Sequence, residues 1–296
     1  MKERGKTKKR PSEMVFDICN IFFLCLIMFV CLYPFYYVLI YSLSATKEVA
    51  HGVYFWPTGF SLENYKAVFK LPGLLHAMLV SVLRTMSGSA LTVFCCALFG
   101  YMLSKDTLPG KKIIYRFTVA TMYISAGLIP WYLTMRAYHL SNNFLLYILP
   151  YAVQAYYVVL MKTFFEQLPN ALEESAKIDG AGYLTVFLRI VLPLSAPIVA
   201  TIFVFSAVFQ WNSYFDNYIM VTDKNLQTLQ NMLFTYLRKA EVITKDIDML
   251  QMQANTVSPM SLKMTITTVT ALPVLFIYPL AQRHFVKGIM IGAVKG

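Results

Sequence analysis

Six apolar runs recur along the chain, at about residues 18–41, 76–103, 117–133, 144–161, 190–209 and 264–280. A helix needs about 20 mostly apolar residues to cross a bilayer. Inside lipid every backbone polar group must be paired within its own segment, so helices are the default. The runs therefore predict an all-α polytopic membrane protein with six transmembrane helices. Composition points the same way. Apolar residues make up 57% and charged residues 14%, against about 45–50% and about 25% in a soluble domain. Aromatics at 15% exclude a disordered chain. The net charge is +11, but the basic residues flank the apolar runs. That placement reads as membrane orientation and not as a nucleic-acid footprint.

The basic residues set the topology. The first ten residues, MKERGKTKKR, hold six Lys/Arg, and the segment after the second run holds Lys105, Lys111, Lys112 and Arg116. The C-terminal tail holds Arg283, Lys287 and Lys295, whereas the segment between runs three and four holds only Arg136. Positive residues stay on the cytoplasmic side, so both termini are expected inside a multi-pass protein of the cell membrane. The first run exceeds the ~7–15 residues of a signal-peptide core and reads as an uncleaved span. Cys19, Cys25, Cys31, Cys95 and Cys96 lie in apolar runs without metal-ligand spacing and read as small hydrophobes. The expected organisation is a cytoplasmic segment at 1–17, a six-helix transmembrane domain at 18–288 and a cytoplasmic tail at 289–296. Within the domain, 163–193 forms a cytoplasmic loop and 211–262 an external one. In the external loop Leu226, Leu229, Met232, Leu233, Tyr236 and Leu237 recur at helical spacing. A loop of that length either contacts a partner outside the membrane or covers the bundle as a lid.

The cytoplasmic loop is the most informative segment. Asn170 with Glu173 three residues later has the form of a capping box. Leu172, Ala176 and Ile178 give the first helix a partly apolar face, and Gly180 and Gly182 permit a sharp turn. Leu184, Phe187, Leu188 and Val191 share one side of a second helix, which hands over to the fifth run at Pro193. Such a segment is a two-helix knob, acidic on one side.

The same residues carry a resemblance. Glu174-Ser175-Ala176, three residues, Gly180, nine residues, Ile190, one residue and Leu192-Pro193 reproduce the spacing of the EAA signature of ABC importer permeases. The one departure is Ser175 for the first Ala. Asp179-Gly180-Ala181 resembles the core common in the sugar-uptake branch. Gln210-Trp211-Asn212 with Tyr214, Tyr33-Pro34, Trp56-Pro57 to Phe69, and the ending from Gln282 to Gly296 are similar to elements of the maltose-transporter G-type permeases. The resemblance covers nearly the whole chain. It implies a permease subunit of an ATP-driven importer for carbohydrates, oligosaccharides foremost, and not an enzyme. It implies a second homologous permease subunit, two ATP-binding subunits and an extracytoplasmic sugar-binding protein as partners. ATP and Mg²⁺ would be bound by the ATP-binding subunits, with no cofactor or metal held by this chain. Glu173, Glu174, Ala176, Asp179, Gly180 and Ala181 would couple to an ATP-binding subunit. The alternative is a self-contained carrier or channel, which would often show internal repeats.

Other patterns carry less. Gly180 to Thr185 falls one glycine short of a dinucleotide fingerprint, and Gly110-Lys111-Lys112 lacks the rest of a P-loop. Gly288, Gly292 and Gly296 are spaced as in packed helix pairs. His51, His76, His139 and His284 are scattered. Arg84 lies about two turns into the second run, where snorkelling or pairing at the interface is expected ahead of a direct substrate role. Sugars present hydroxyls and flat C–H faces, which aromatics beside amides and hydroxyls suit. Tyr123, Ser125, Gln154, Tyr157, Ser206, Gln210, Trp211, Asn212 and Tyr214 are the candidates for a substrate path.

Overall fold

The computed structural model describes residues 11–49, 52–246, 258 and 260–276. Expectations for the first ten residues, most of 246–255, the end of the sixth run and the tail from 281 onward lie outside them. In chain order the helices are α1 (Pro11–Ser42), α2 (Glu63–Phe69), α3 (Leu74–Ser104), α4 (Lys111–Ala120), α5 (Leu128–Ala137) and α6 (Ala155–Phe165). There follow α7 (Asn170–Ile178), α8 (Tyr183–Val186), α9 (Leu192–Leu194), α10 (Ala196–Asn212), α11 (Phe215–Met220) and α12 (Leu229–Asp246), then α13 (Met260–Phe276). Among the described residues the one β contact outside a helix is a bridge from Ser44 to Phe60.

The chain divides into two units, residues 1–68 with 246–268 and residues 69–245 with 269–296. In the first, α1 runs unbroken through Pro34 for 32 residues, and none of its most apolar stretch is buried within the chain. Buried Asn64 donates its amide to the carbonyls of Ser42 (3.1 Å) and Ser44 (2.9 Å). Those carbonyls lie at and just beyond the end of α1, whose preceding carbonyls at Leu39, Ile40 and Tyr41 are taken by Leu43 N–H, Ser44 Oγ and Ser44 N–H. Ile40, Tyr41 and Val53 form a small core with Tyr37, Val49 and Met264.

The second unit is built on α3, 31 residues long, which packs along α10 and α6. At Gly100 the helices approach backbone to backbone. A Cβ there would stand 2.9 Å from Met161 Cβ and 3.1 Å from the Val158 carbonyl oxygen. Below this contact Val93, Ala97, Tyr101, Met161, Phe165, Val186, Phe187, Val191 and Ile202 form the core.

Three of the expected spans are not straight helices, and a proline lies near each break. A proline ring collides with the carbonyl four residues earlier and cannot donate, so it favours a helix's first turn or a break, although α1 carries Pro34 through without one. The third run becomes α4 and α5, with residues 121–127 non-helical and Pro130 in the first turn of α5. In the fourth, two 3₁₀ turns containing Pro150 meet α6 at 48°. In the fifth, Tyr183–Leu194 meets α10 at 83°, across Ser195 between Pro193 and Pro197. Among the described residues two helices are long and apolar enough to cross a membrane unbroken, or four if each bent pair is one crossing.

Candidate functional site

The knob around α7 is held by its own ending. Asp179, the last residue before the turn, leads into Gly180 at φ +81°, a left-handed conformation that side chains with a Cβ rarely adopt. Gly180 N–H donates to the Lys177 carbonyl (3.0 Å) and Ala181 N–H to the Ala176 carbonyl (2.9 Å). This bond pair is a Schellman motif, in which a left-handed residue lets the next two amides satisfy the helix's last carbonyls. Ala176 and Ala181 also pack against the bundle core. The spacing from Ala176 to Ala181 is thus a closed local structure. Gly182, expected to share the turn, has φ −73° and is an ordinary residue in open space. Its neighbour Tyr183 receives the Lys177 ammonium over its ring at 4.9 Å.

The start of α7 differs from the expected capping box. Asn170 is already helical behind Pro169, and no side chain caps the helix. Glu173 turns instead to Lys105 at the end of α3, with which it forms a short hydrogen-bonded ion pair. Lys105 also stands 4.4 Å over the Tyr101 ring. Nearby, Lys111 bonds Asp106 (2.8 Å) and reaches Glu166 (3.4 Å), which pairs with Lys162 (2.7 Å). The Lys111 hydrogen bond holds the Asp106 carboxyl below its usual range. These ties sort the knob's acidic groups. Glu166, though exposed, is paired with Lys162 and Lys111, and half-buried Glu173 with Lys105, whereas Glu174 and Asp179 are exposed. Ile178 beside them is 87% exposed, and an apolar cleft of about 410 Å³ opens alongside, lined by Leu98, Tyr101, Leu108, Leu184 and Phe187 among others. Leu184 and Leu188 remain exposed, and the inward side of the second helix is Val186, Phe187 and Val191.

The substrate-path candidates separate. Gln154 and Ser206 line a small cleft of about 40 Å³ with Thr92, Tyr151, Tyr157 and Phe209. Thr92 donates to the Tyr151 carbonyl (2.9 Å), and Cys96 lies against the backbone of Gln154. Trp211 is buried, its indole N–H donating to the Thr270 carbonyl at 3.0 Å. Tyr214 stacks on Phe234 at 4.6 Å, Asn212 bonds back to Val208, and Tyr123 is 83% exposed in the break between α4 and α5. Ser125 sits in the same break, its hydroxyl accepting from Gly127 N–H.

Gln210 leads to a cluster that sequence reasoning missed. Arg84 does not snorkel, for it is fully buried. Its guanidinium donates to both carboxylate oxygens of Asp216 (3.0 and 2.5 Å), to Gln210 Oε1 (3.0 Å) and to the Ser213 carbonyl (3.2 Å). The Tyr147 ring lies 4.5 Å away, and Tyr147 and Asn217 are hydrogen-bonded to each other and to the Leu226 carbonyl. With a counter-ion, hydrogen-bond acceptors and a ring face all supplied by protein, the charge needs no path to water. The cluster fastens the start of the 211–262 segment to the opposite end of α3 from α7. Asn142 on Thr222 and Asp223 and Ser81 on Leu229 N–H extend the seam. An acidic residue 132 positions away was the available signal, but spacing of that size has no period to read.

No family model matches the chain. It is 37% identical over 284 residues to Protein LplC of Bacillus subtilis (strain 168), covering 95% of each chain. It is 36% identical over 267 residues to the polygalacturonan/rhamnogalacturonan transport system permease protein YtcP of the same organism, covering 89% of this chain and 92% of that one. Its fold matches a crystal structure of a bacterial ABC transporter involved in the import of the acidic polysaccharide alginate. The TM-score is 0.86 at 25% identity, covering 95% of this chain and all of the other. The chain therefore belongs to the sugar-transport permeases of ABC importers, as a membrane-embedded translocation subunit and not an enzyme.

Proposed function

We propose that this permease imports an oligosaccharide and that α7 with its Gly180 turn is the element through which ATP-binding subunits drive it. One observation carries the reading. The knob is fixed to the bundle by Ala176, Ala181 and the Lys105–Glu173 pair, yet it leaves Glu174 exposed together with Ile178 and Asp179 one helical turn on. A rigidly mounted, acidic and partly apolar projection suits a groove with basic and apolar walls. In this arrangement a second homologous permease completes the pathway. Two ATP-binding subunits hold ATP and Mg²⁺, and an external sugar-binding protein delivers the cargo. Both termini lie on the cytoplasmic side with α7, in keeping with the basic residues around it. The 211–262 segment, whose first part from Ser213 to Leu229 is seamed to the other end of the bundle, faces the binding protein. The cleft lined by Thr92, Tyr151, Gln154, Tyr157, Ser206 and Phe209 offers the hydroxyls, amide and aromatic faces that a sugar requires, and the sugar-transport names of the relatives support that cargo class.

The test is Glu174→Lys in the assembled transporter. The expected result is loss of co-purifying ATP-binding subunits and of uptake, with membrane insertion unchanged. Uptake and association at the level of the parent chain would refute the role, and uptake by this chain reconstituted alone would favour a self-contained carrier.

A further inference from the structure

We propose that the segment Val53–Pro57 is an aromatic hook that dips back beside α1 and anchors the chain in the lipid interface at the C-terminal end of that helix. The proposal needs only that α1 crosses the membrane. It is independent of the coupling role of α7.

The geometry sets the depth of the hook. Thr58 is fixed at the end of α1, where its N–H donates to Ser44 Oγ (3.1 Å) and its carbonyl accepts from Ala45 N–H (2.9 Å). Four residues earlier the chain lies lower on the helix. The Tyr33 hydroxyl donates to the Tyr54 carbonyl (3.2 Å) and the Tyr36 hydroxyl to the Phe55 carbonyl (2.5 Å). At a rise of ~1.5 Å per residue, Tyr33 stands ~13 Å short of the helix end at Ser42. The apolar run of α1 begins after Asp17, and about 20 residues from there, enough to cross the hydrocarbon core, end near Tyr37. Tyr33, Tyr36 and the two carbonyls they hold therefore sit at the boundary between hydrocarbon and headgroups.

Chemistry at that depth explains the pairing. An unpaired hydroxyl or carbonyl costs several kcal/mol in a medium without water, so irregular backbone survives there only when its groups are satisfied. The two tyrosine bonds supply partners for the Tyr54 and Phe55 carbonyls, and the hook's remaining backbone groups lie at headgroup level, where water reaches them. The hook then presents Tyr54, Phe55 and Trp56 outward, 67%, 58% and 78% exposed, while Val53 is buried against Ile40 and Tyr41. Phe55 packs on Tyr33, the second rung of a ladder Phe29, Tyr33, Tyr37, Tyr41 up one side of α1. Amphipathic rings at this level are the composition of a membrane interface, where Trp and Tyr place an apolar body in lipid and a polar edge among headgroups. The occupant of this surface is thus the bilayer.

The experiment places a nitroxide at Trp56→Cys, and separately at Tyr54→Cys, in the assembled transporter lacking its five native cysteines. The complex is reconstituted in phosphatidylethanolamine/phosphatidylglycerol vesicles. Collisional relaxation by oxygen, which partitions into lipid, is compared with relaxation by a water-soluble nickel chelate. A label at Lys47 serves as the water-exposed reference. The expected result is relaxation by oxygen several-fold above that by nickel at both hook positions, with the reverse at Lys47. Nickel access equal to that at Lys47 would overturn the proposal in favour of a solvent-exposed loop. Protection from both reagents would overturn it in favour of a surface covered by a protein partner.

Discussion

Arg84 is the residue whose meaning changes most between sequence and structure. From the sequence it is a charge near the end of an apolar run. In the fold it is the centre of a buried cluster in which Asp216 alone supplies the opposing charge among the groups bonded to it. A buried pair adds little over a well-packed apolar substitute, but removing one partner leaves a charge stranded. Asp216→Ala is therefore expected to destabilise the protein by about 3–5 kcal/mol, read from unfolding in detergent. The double change Arg84→Met with Asp216→Leu should recover most of that loss. If the single and double variants unfold alike, the pair is not what holds the cluster. Gly100 has a simpler rule. Its missing Cβ lets α3 and α6 touch through backbone that cannot yield, so Gly100→Val should cost at least the ~1–3 kcal/mol of an overpacked core. Neither residue was legible as structural in the sequence, because both depend on a neighbour brought up by the fold.

At the scale of elements, the turn after α7 is the best-read part of the chain. The interval from Ala176 through Gly180 to Ala181 is local, so its chemistry is visible in order along the sequence, and the structure completes it as a Schellman turn. The two glycines there separate cleanly. Gly180 holds φ +81° whereas Gly182 does not. Gly180→Val is expected to reduce uptake and ATP-subunit association strongly, since a β-branched residue is an outlier at that φ. Gly182→Ala should leave both near the parent level. Equal loss in the two variants would mean that the segment tolerates no added side chain anywhere, and that the turn's conformation is not the cause. The helix ends were read less well. Hydropathy counts apolar residues and ignores where proline forbids a continuous ladder, so runs three, four and five were expected as single spans and are broken. The amphipathic spacing from Leu229 held, with Leu229, Met232 and Leu233 buried, because a helical period survives when no proline interrupts it.

For the whole molecule, fold class and family were legible because they rest on sums: twenty-residue apolar runs, a basic bias and one long signature. The small cleft of Gln154 and Ser206 was half legible. Gln154, Tyr157 and Ser206 were named among the candidates, but Thr92 comes from α3, whose pairing with them no sequence period encodes, and Tyr151 and Phe209, three residues from Gln154 and Ser206, were passed over. The proposed orientation makes a direct prediction. In a cysteine-free background, Ser61→Cys and Asn225→Cys should react with an impermeant thiol reagent on intact cells, while Lys112→Cys should react only after permeabilisation. Asn225 and Lys112 are both exposed, so access is decided by the membrane side. Labelling of Lys112→Cys on intact cells would reverse the topology.

The bend at Ser195 has a mechanical reading. Because Tyr183–Leu194 meets α10 at 83°, the two segments form a crank. A thrust along the first arm has almost no component along the second, so α10 cannot respond as a piston. It can respond as a swinging arm. That motion leaves its internal hydrogen-bond ladder intact and concentrates the change at the few residues around the corner, the hinge form of helix rearrangement and not the sliding form. Any such swing would have to carry α3 along, because Gln210 at the far end of α10 is bonded to buried Arg84.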